Sequence, residues 1–224
     1  MRPLVLAAHG TKDPAGAECT EHLAALVGAR LGLPVPVAYA DVREPRLSSV
    51  LTDHAVVVPA FLASGYHVRV DLPGEIARSG RTGVTLTPAF GADPALVDLA
   101  ALRLAEAGWR SGDAVVLGAA GSSDEGALAE VRTAARLLSA ELGTEVEVGY
   151  VTTARPGIDT ALAQARRTGR RVSVASWLLA PGLFHQALRV AGHSVVAAPL
   201  GAHELVADLV VRRYLAANAV AAAA

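Results

Sequence analysis

LVLAAHGTKDP, residues 4–14, is written a second time as VVLGAAGSSDE, residues 115–125. Laid together without a gap, the copies agree at Val5/Val116, Leu6/Leu117, Ala8/Ala119, Gly10/Gly121 and Asp13/Asp124, and Thr11 faces the similar Ser122. Each copy reads as a short apolar strand, a glycine turn and an acidic helix start. The register extends along the chain: Leu4 and Val115, Tyr39 and Tyr150, Pro45 and Pro156, and Pro88 and Pro199 all stand 111 residues apart. Four anchors in one register, at corresponding points of two halves, mark an internal duplication. One residue breaks the likeness: His9 faces Ala120.

Outward from the motif, the first half alternates β-rich runs (LVLAA, PVPVAYA, HAVVVPA, GVTLTPA) with helical spacing. Leu23, Leu26, Val27 and Leu31 make one stripe, and Leu96, Leu99, Leu102 and Leu104 another. The second half repeats the order with DAVVLGA, EVEVGYV, RVSVASWLL and SVVAAPL, and with helices near residues 125–142, 157–168, 182–191 and 203–217. Strand and helix alternating in this way predict two parallel-sheet α/β domains, residues 1–110 and 111–224, meeting near GWRSGD at 108–113. The end, AANAVAAAA, reads as a fraying helix tail.

Composition agrees with such a fold. The 224 residues are 52% hydrophobic but only 4% aromatic, so the core is built from Ala, Val and Leu. Twenty basic against twenty-one acidic side chains leave a formal charge of −1, which gives no global attraction to nucleic acid or to an anionic membrane. The single cysteine, Cys19, excludes an intramolecular disulfide and a Cys-rich metal site and suits a reducing compartment. The short apolar run ending at His9 lacks the length and cleavage site of a secretory signal, and no apolar stretch reaches membrane-spanning length. The sequence reads as cytoplasmic.

In parallel sheets ligands gather beyond the carboxyl ends of the strands. His9 stands at the end of the first strand and FLASGYH, residues 61–67, follows the third, so His9 and His67 share one rim. Two imidazoles there suffice to hold a divalent cation briefly and to accept protons near neutral pH. A closed zinc site wants four protein ligands, whereas a pair leaves positions open to water or an incoming ligand. His22, His54 and His193 read as ordinary polar side chains beside a helix or strand. Asp71 and Pro73 read as helix-start residues.

AAHGTKDP and FLASGYHVRVDLP together resemble the sirohydrochlorin cobalto- and ferrochelatases of the CbiX/SirB type, the class II tetrapyrrole chelatases. The duplicated arrangement is similar to the long bacterial members, and the resemblance covers essentially the whole chain. It implies two flavodoxin-like, chelatase-like domains related by duplication. It makes His9 and His67 the metal-binding, catalytic pair and gives the acidic-Pro pair a counterpart in Glu44 and Pro45, with Glu44 a candidate for substrate binding. The implied reaction inserts Co2+, Fe2+ or Ni2+ into sirohydrochlorin, with no cofactor besides the metal, and the implied species is a monomer of two pseudo-symmetric domains. Eight substrate carboxylates then call for local cations, for which Lys12, Arg43, Arg46 and Arg69 lie near the rim loops. The second half departs at Ala120, although LLAPGLFH keeps His185 as partner of His67, and His203 stands in PLGAH. After duplication one half carries the chemistry, while the other keeps its strands for packing and closes a cleft over the substrate.

Three other readings stay open at this point. A metal-binding or metal-delivery module would use the same two histidines without catalysis. A histidine phosphatase would need an arginine before the histidine, where Ala8 stands, and no P-loop is present. An inactive homologue would have no reason to retain both imidazoles of the first half.

Overall fold

The computed structural model describes residues 1–190 and 195–223, so His193 lies outside the described residues. The first repeat runs β1 (Leu4–Ala8), α1 (Pro14–Leu31), β2 (Val37–Tyr39), α2 (Leu47–Val50), β3 (Val56–Pro59), a π-helical turn (His67–Asp71) leading into α3 (Leu72–Ser79), β4 (Thr85–Leu86) and α4 (Pro94–Glu106). The second runs β5 (Ala114–Ala119), α5 (Glu125–Leu142), β6 (Val146–Tyr150), α6 (Ile158–Arg166), β7 (Val172–Trp177), α7 (Leu183–Val190), β8 (Val195–Val196) and α8 (Glu204–Ala223). Each repeat contributes one four-stranded parallel sheet, in the orders β2-β1-β3-β4 and β6-β5-β7-β8. Among the described residues no helix is long and apolar enough to cross a membrane.

Continuous apolar strands such as LVLAA have no polar face, so both sides of each sheet must be covered. On one side of the first sheet Val5, Ala7 and Val57 pack with Leu47 of α2, Leu51 just after it and Leu72 of α3. Leu4, Leu6, Val56 and Val58 alternate with these and are equally buried. Their cover comes from α1 and, unexpectedly, from α8: that last helix packs on α1 and β3. Arg30 of α1 pairs with Glu204 and Asp208, the Tyr214 hydroxyl donates to the Arg2 carbonyl, and Arg213 donates to the carbonyls of Ala89 and Phe90. In turn α4 packs on α5 and β7 of the second sheet.

The compact units therefore differ from the repeats. One comprises Met1–Phe90 with Ala202–Ala224, the other Gly91–Gly201. The sequence boundary near 108–113 marks where one repeat ends and the next begins, but the fourth helix of each repeat is exchanged. Residues 108–113 instead lie inside the second unit, where Asp113 accepts from Arg171, Ser173 and the Arg110 backbone.

The glycine, hydroxyl and aspartate of the turn have the same backbone task in both opening motifs. Gly10 has φ +94° and Gly121 φ +99°, and a Cβ would stand 2.2 Å from the Asp41 carbonyl oxygen in the first and 2.0 Å from that of Thr152 in the second. Asp13 caps α1 by accepting from Ala15 N–H, as Asp124 caps α5 by accepting from Ala127 N–H. Thr11 and Ser122 accept from the N–H of those same aspartates. The imidazole of His9 takes no part in this scaffold. The turn closes equally well around Ala120, whose carbonyl accepts from Thr152 N–H as that of His9 accepts from Asp41 N–H.

Candidate metal centre

The sheet order changes direction between β1 and β3, because the chain goes from β1 to β2 on one side and returns to β3 on the other. Ligands collect at such a switch point, beyond the strand ends. The structure brings His9 and His67 together there: the ring centroids are 4.5 Å apart and the planes nearly perpendicular, at 89°. Phe61 stands beside both, 6.4 Å from the His9 ring and 6.2 Å from that of His67. Its ring forms an apolar floor that sequence reading did not assign.

Each imidazole is held by Nδ1. In His9 it lies 3.0 Å from the Gly10 carbonyl oxygen, and in His67 2.6 Å from Asp71 Oδ2. Carbonyl and carboxylate oxygens accept, so both Nδ1 atoms carry the hydrogen and each Nε2 presents its lone pair. His9 is exposed and His67 part-buried, so both nitrogens are within reach of solvent species. Among the described residues no group of three or more His, Cys, Asp or Glu side chains is placed to hold a metal. The arrangement is a two-nitrogen site with most of a metal's coordination sphere left to other donors.

Asp71 is the residue that sequence reading placed differently. Its side chain makes no helix-capping hydrogen bond and accepts from His67 instead. The cause is local: Pro73 has no N–H for the carbonyl four residues back and needs room there. The preceding turn opens to a π-turn, with Leu72 N–H donating to the His67 carbonyl. Residues four apart share one face of a helical turn, so residue 71 stands over residue 67. The signal in the sequence is the H-x-x-x-D spacing followed by proline.

The charged candidates are placed unequally. Arg43 follows the β2 end, with Nη1 3.4 Å from the Thr11 carbonyl oxygen and its guanidinium 5.8 Å from the Tyr39 ring centroid, so it borders the His9 turn. Lys12 is exposed in that turn, and Arg69 is exposed in the π-turn. Glu44 is exposed but directs its carboxylate at its own loop, accepting from Arg46 N–H at 2.8 Å. Arg46 lies 3.9 Å from the buried Glu75 carboxylate, which draws it toward α3. His22 and His54 are exposed.

The second repeat holds no such pair among the described residues. Ala120 packs against the apolar cluster of Ile158, Val174 and Leu188. His185 donates from Nε2 to the Ala197 carbonyl at 3.1 Å, and burial pushes its pKa below the usual imidazole value. His203 caps α8, its Nδ1 accepting from Leu205 N–H.

Two consecutive stretches, residues 3–107 and 114–217, match the CbiX family model. The chain belongs to the CbiX family. Solved structures with the fold of this CbiX chain include SirB from Bacillus subtilis with Fe3+, at 22% identity and a TM-score of 0.77 over 96% of this chain and 94% of that one. The sirohydrochlorin chelatase SirB from Bacillus subtilis subspecies spizizenii in complex with cobalt is 21% identical, with a TM-score of 0.73 over 95% and 94%. The CbiX described as the terminal enzyme of siroheme biosynthesis in denitrifying bacteria is 23% identical, with a TM-score of 0.73 over 96% and 99%. No curated protein matches significantly by sequence.

Proposed function

We propose that this CbiX-family protein is a sirohydrochlorin chelatase, inserting Co2+ or Fe2+ into the macrocycle with release of two pyrrole protons. The reading rests above all on one observation: two imidazoles 4.5 Å apart at the β1/β3 switch point, both with Nδ1 engaged and Nε2 open. Family membership and the metal-bound SirB structures point the same way.

In this proposal His9 and His67 replace water on the incoming metal and pass it to the four macrocycle nitrogens. The imidazoles then accept the protons that leave those nitrogens. Formation of the chelate drives the reaction, so neither ATP nor a redox cofactor is needed. Lys12, Arg43 and Arg69 receive substrate carboxylates around the rim, Arg in bidentate fashion. Glu44 serves the same rim by keeping its loop closed on Arg46. The second repeat supplies structure and binding surface rather than metal chemistry, since its motif has Ala120 and its His185 is engaged with Ala197. The active species is taken as a cytoplasmic monomer, which sedimentation of the purified chain checks.

The deciding test offers sirohydrochlorin with Co2+, Fe2+ or Ni2+ in turn and follows the absorbance change. Insertion well above the rate without protein is expected for Co2+ or Fe2+. Metal binding by calorimetry without any acceleration would replace the chelatase reading with that of a metal-delivery protein.

A further inference from the structure

The His67–Asp71 contact resolves into a function that the pair alone does not explain. An imidazole ligates metal through one nitrogen, in one tautomer, along one direction. His67 stands in a loop-to-helix transition and is part-buried, with its side chain 29% exposed. Rotation about its side-chain bonds would present either nitrogen, or neither, to the rim. Asp71 removes that freedom. Its Oδ2 lies 2.6 Å from Nδ1, and its carboxyl is 32% exposed, so one side faces water while the other grips the ring. The short contact between a carboxylate and a ring N–H is a charge-assisted bond, among the stronger hydrogen bonds available.

The helical turn puts the two residues on one face, as it does any pair four apart. In it the residue four ahead stands over the ring, and the turn continues without a break into α3, whose Leu72 is fully buried. The carboxylate therefore rides on a helix that is anchored in the core. His9, by contrast, bonds the carbonyl of its own neighbour, Gly10, a neutral acceptor. The two ligand nitrogens are thus unequal, because only the one on His67 is backed by a negative charge. Oriented carboxylates behind metal-bound histidines raise ligand basicity and fix the tautomer.

We infer that Asp71 is a positioning residue for the metal step: it locks the His67 ring with Nε2 toward the incoming metal and makes it the stronger donor of the pair. This inference rests on the chelatase reading for its kinetic consequence but not for its binding consequence.

Asp71→Ala and Asp71→Asn separate the parts of the effect, since Ala removes the acceptor and Asn keeps an acceptor without charge. In wild type, nitrogen NMR of the His67 ring should show the form protonated at Nδ1. Asp71→Ala should lose that preference and bind Co2+ about 10- to 100-fold more weakly by calorimetry, with Asp71→Asn between it and wild type. In the insertion assay Asp71→Ala should raise KM for the metal while KM for sirohydrochlorin stays unchanged. A Co2+ affinity within about twofold of wild type in Asp71→Ala, or a His67 tautomer that is the same in all three proteins, overturns the inference. So does a loss of affinity that only follows a fall in melting temperature. If wild type binds Co2+ but inserts none, the chelatase reading fails, and affinity and tautomer still decide the role of Asp71.

Discussion

At the scale of single residues, the His9 imidazole is exposed and that of His67 only part-buried at the rim, so removing either tests chemistry more than folding. His9→Ala or His67→Ala should lower insertion by about 100-fold or more with an unchanged melting curve. His22→Ala and His54→Ala should be nearly silent, since both side chains are exposed and absent from the pair. The glycines test the scaffold instead. Gly10→Ala and Gly121→Ala each force a Cβ onto a carbonyl oxygen at positive φ. Each should cost about 1–3 kcal/mol or more in thermal unfolding, although only the first lies beside the histidine pair. Equal destabilisation by the two would confirm that the repeat is kept for its turn. Ala120→His should gain no calorimetric Co2+ site, because His185 spends its Nε2 on the Ala197 carbonyl. The histidine pair was readable in the sequence from two loops placed on one rim. The bond to Asp71 was not, because the aspartate resembled an ordinary helix start rather than a side chain directed back at His67.

Among the elements, β5 and β7 are fastened at their beginnings by an ion pair between the buried Asp113 and the part-buried Arg171. Arg171 donates from Nε to Asp113 Oδ1 at 2.9 Å and from Nη2 to Oδ2 at 2.7 Å, and Ser173 adds a third bond at 2.7 Å. These bonds, the guanidinium first, hold the Asp113 carboxyl down at about 2. The folded value is below the unfolded one of about 3.9. The stabilisation is therefore complete above that pH and is lost as pH falls through about 2. Asp113→Asn should lower stability at neutral pH by on the order of 1–3 kcal/mol, and the difference from wild type in chemical denaturation should fade between about pH 4 and pH 2. Apolar runs announced all eight strands at the observed places, since a two-sided buried sheet leaves continuous Val, Leu and Ala. The α4 stripe was only partly legible. Leu96, Leu99 and Leu104 are fully buried, but Leu102 is 42% exposed.

For the molecule as a whole, the exchange of α4 and α8 makes the repeats and the folding units different objects. Strand-helix alternation revealed the repeats, but nothing local in either helix says which sheet it will cover, because both present similar apolar faces. Deleting residues 112–224 would strip α8 from the first sheet and bare Leu6, Val56 and Val58, which are fully buried. That fragment should aggregate or remain unfolded by circular dichroism. Joining residues 1–90 to 202–224 through a flexible linker should instead give a folded unit that binds Co2+ at His9 and His67. If the simple truncation folds as well as the joined chain, α8 is not required to cover the first sheet. The same exchange fixes an order of events on the ribosome. Although the first sheet is translated early, its cover is the last helix made, so it must wait on the order of ten seconds at ordinary elongation rates. Residues 91–201, complete in one continuous stretch, emerge ready to fold first. In a nascent chain the end that carries His9 and His67 is the last to become solid, and until then its bare strands are the segment a chaperone would hold.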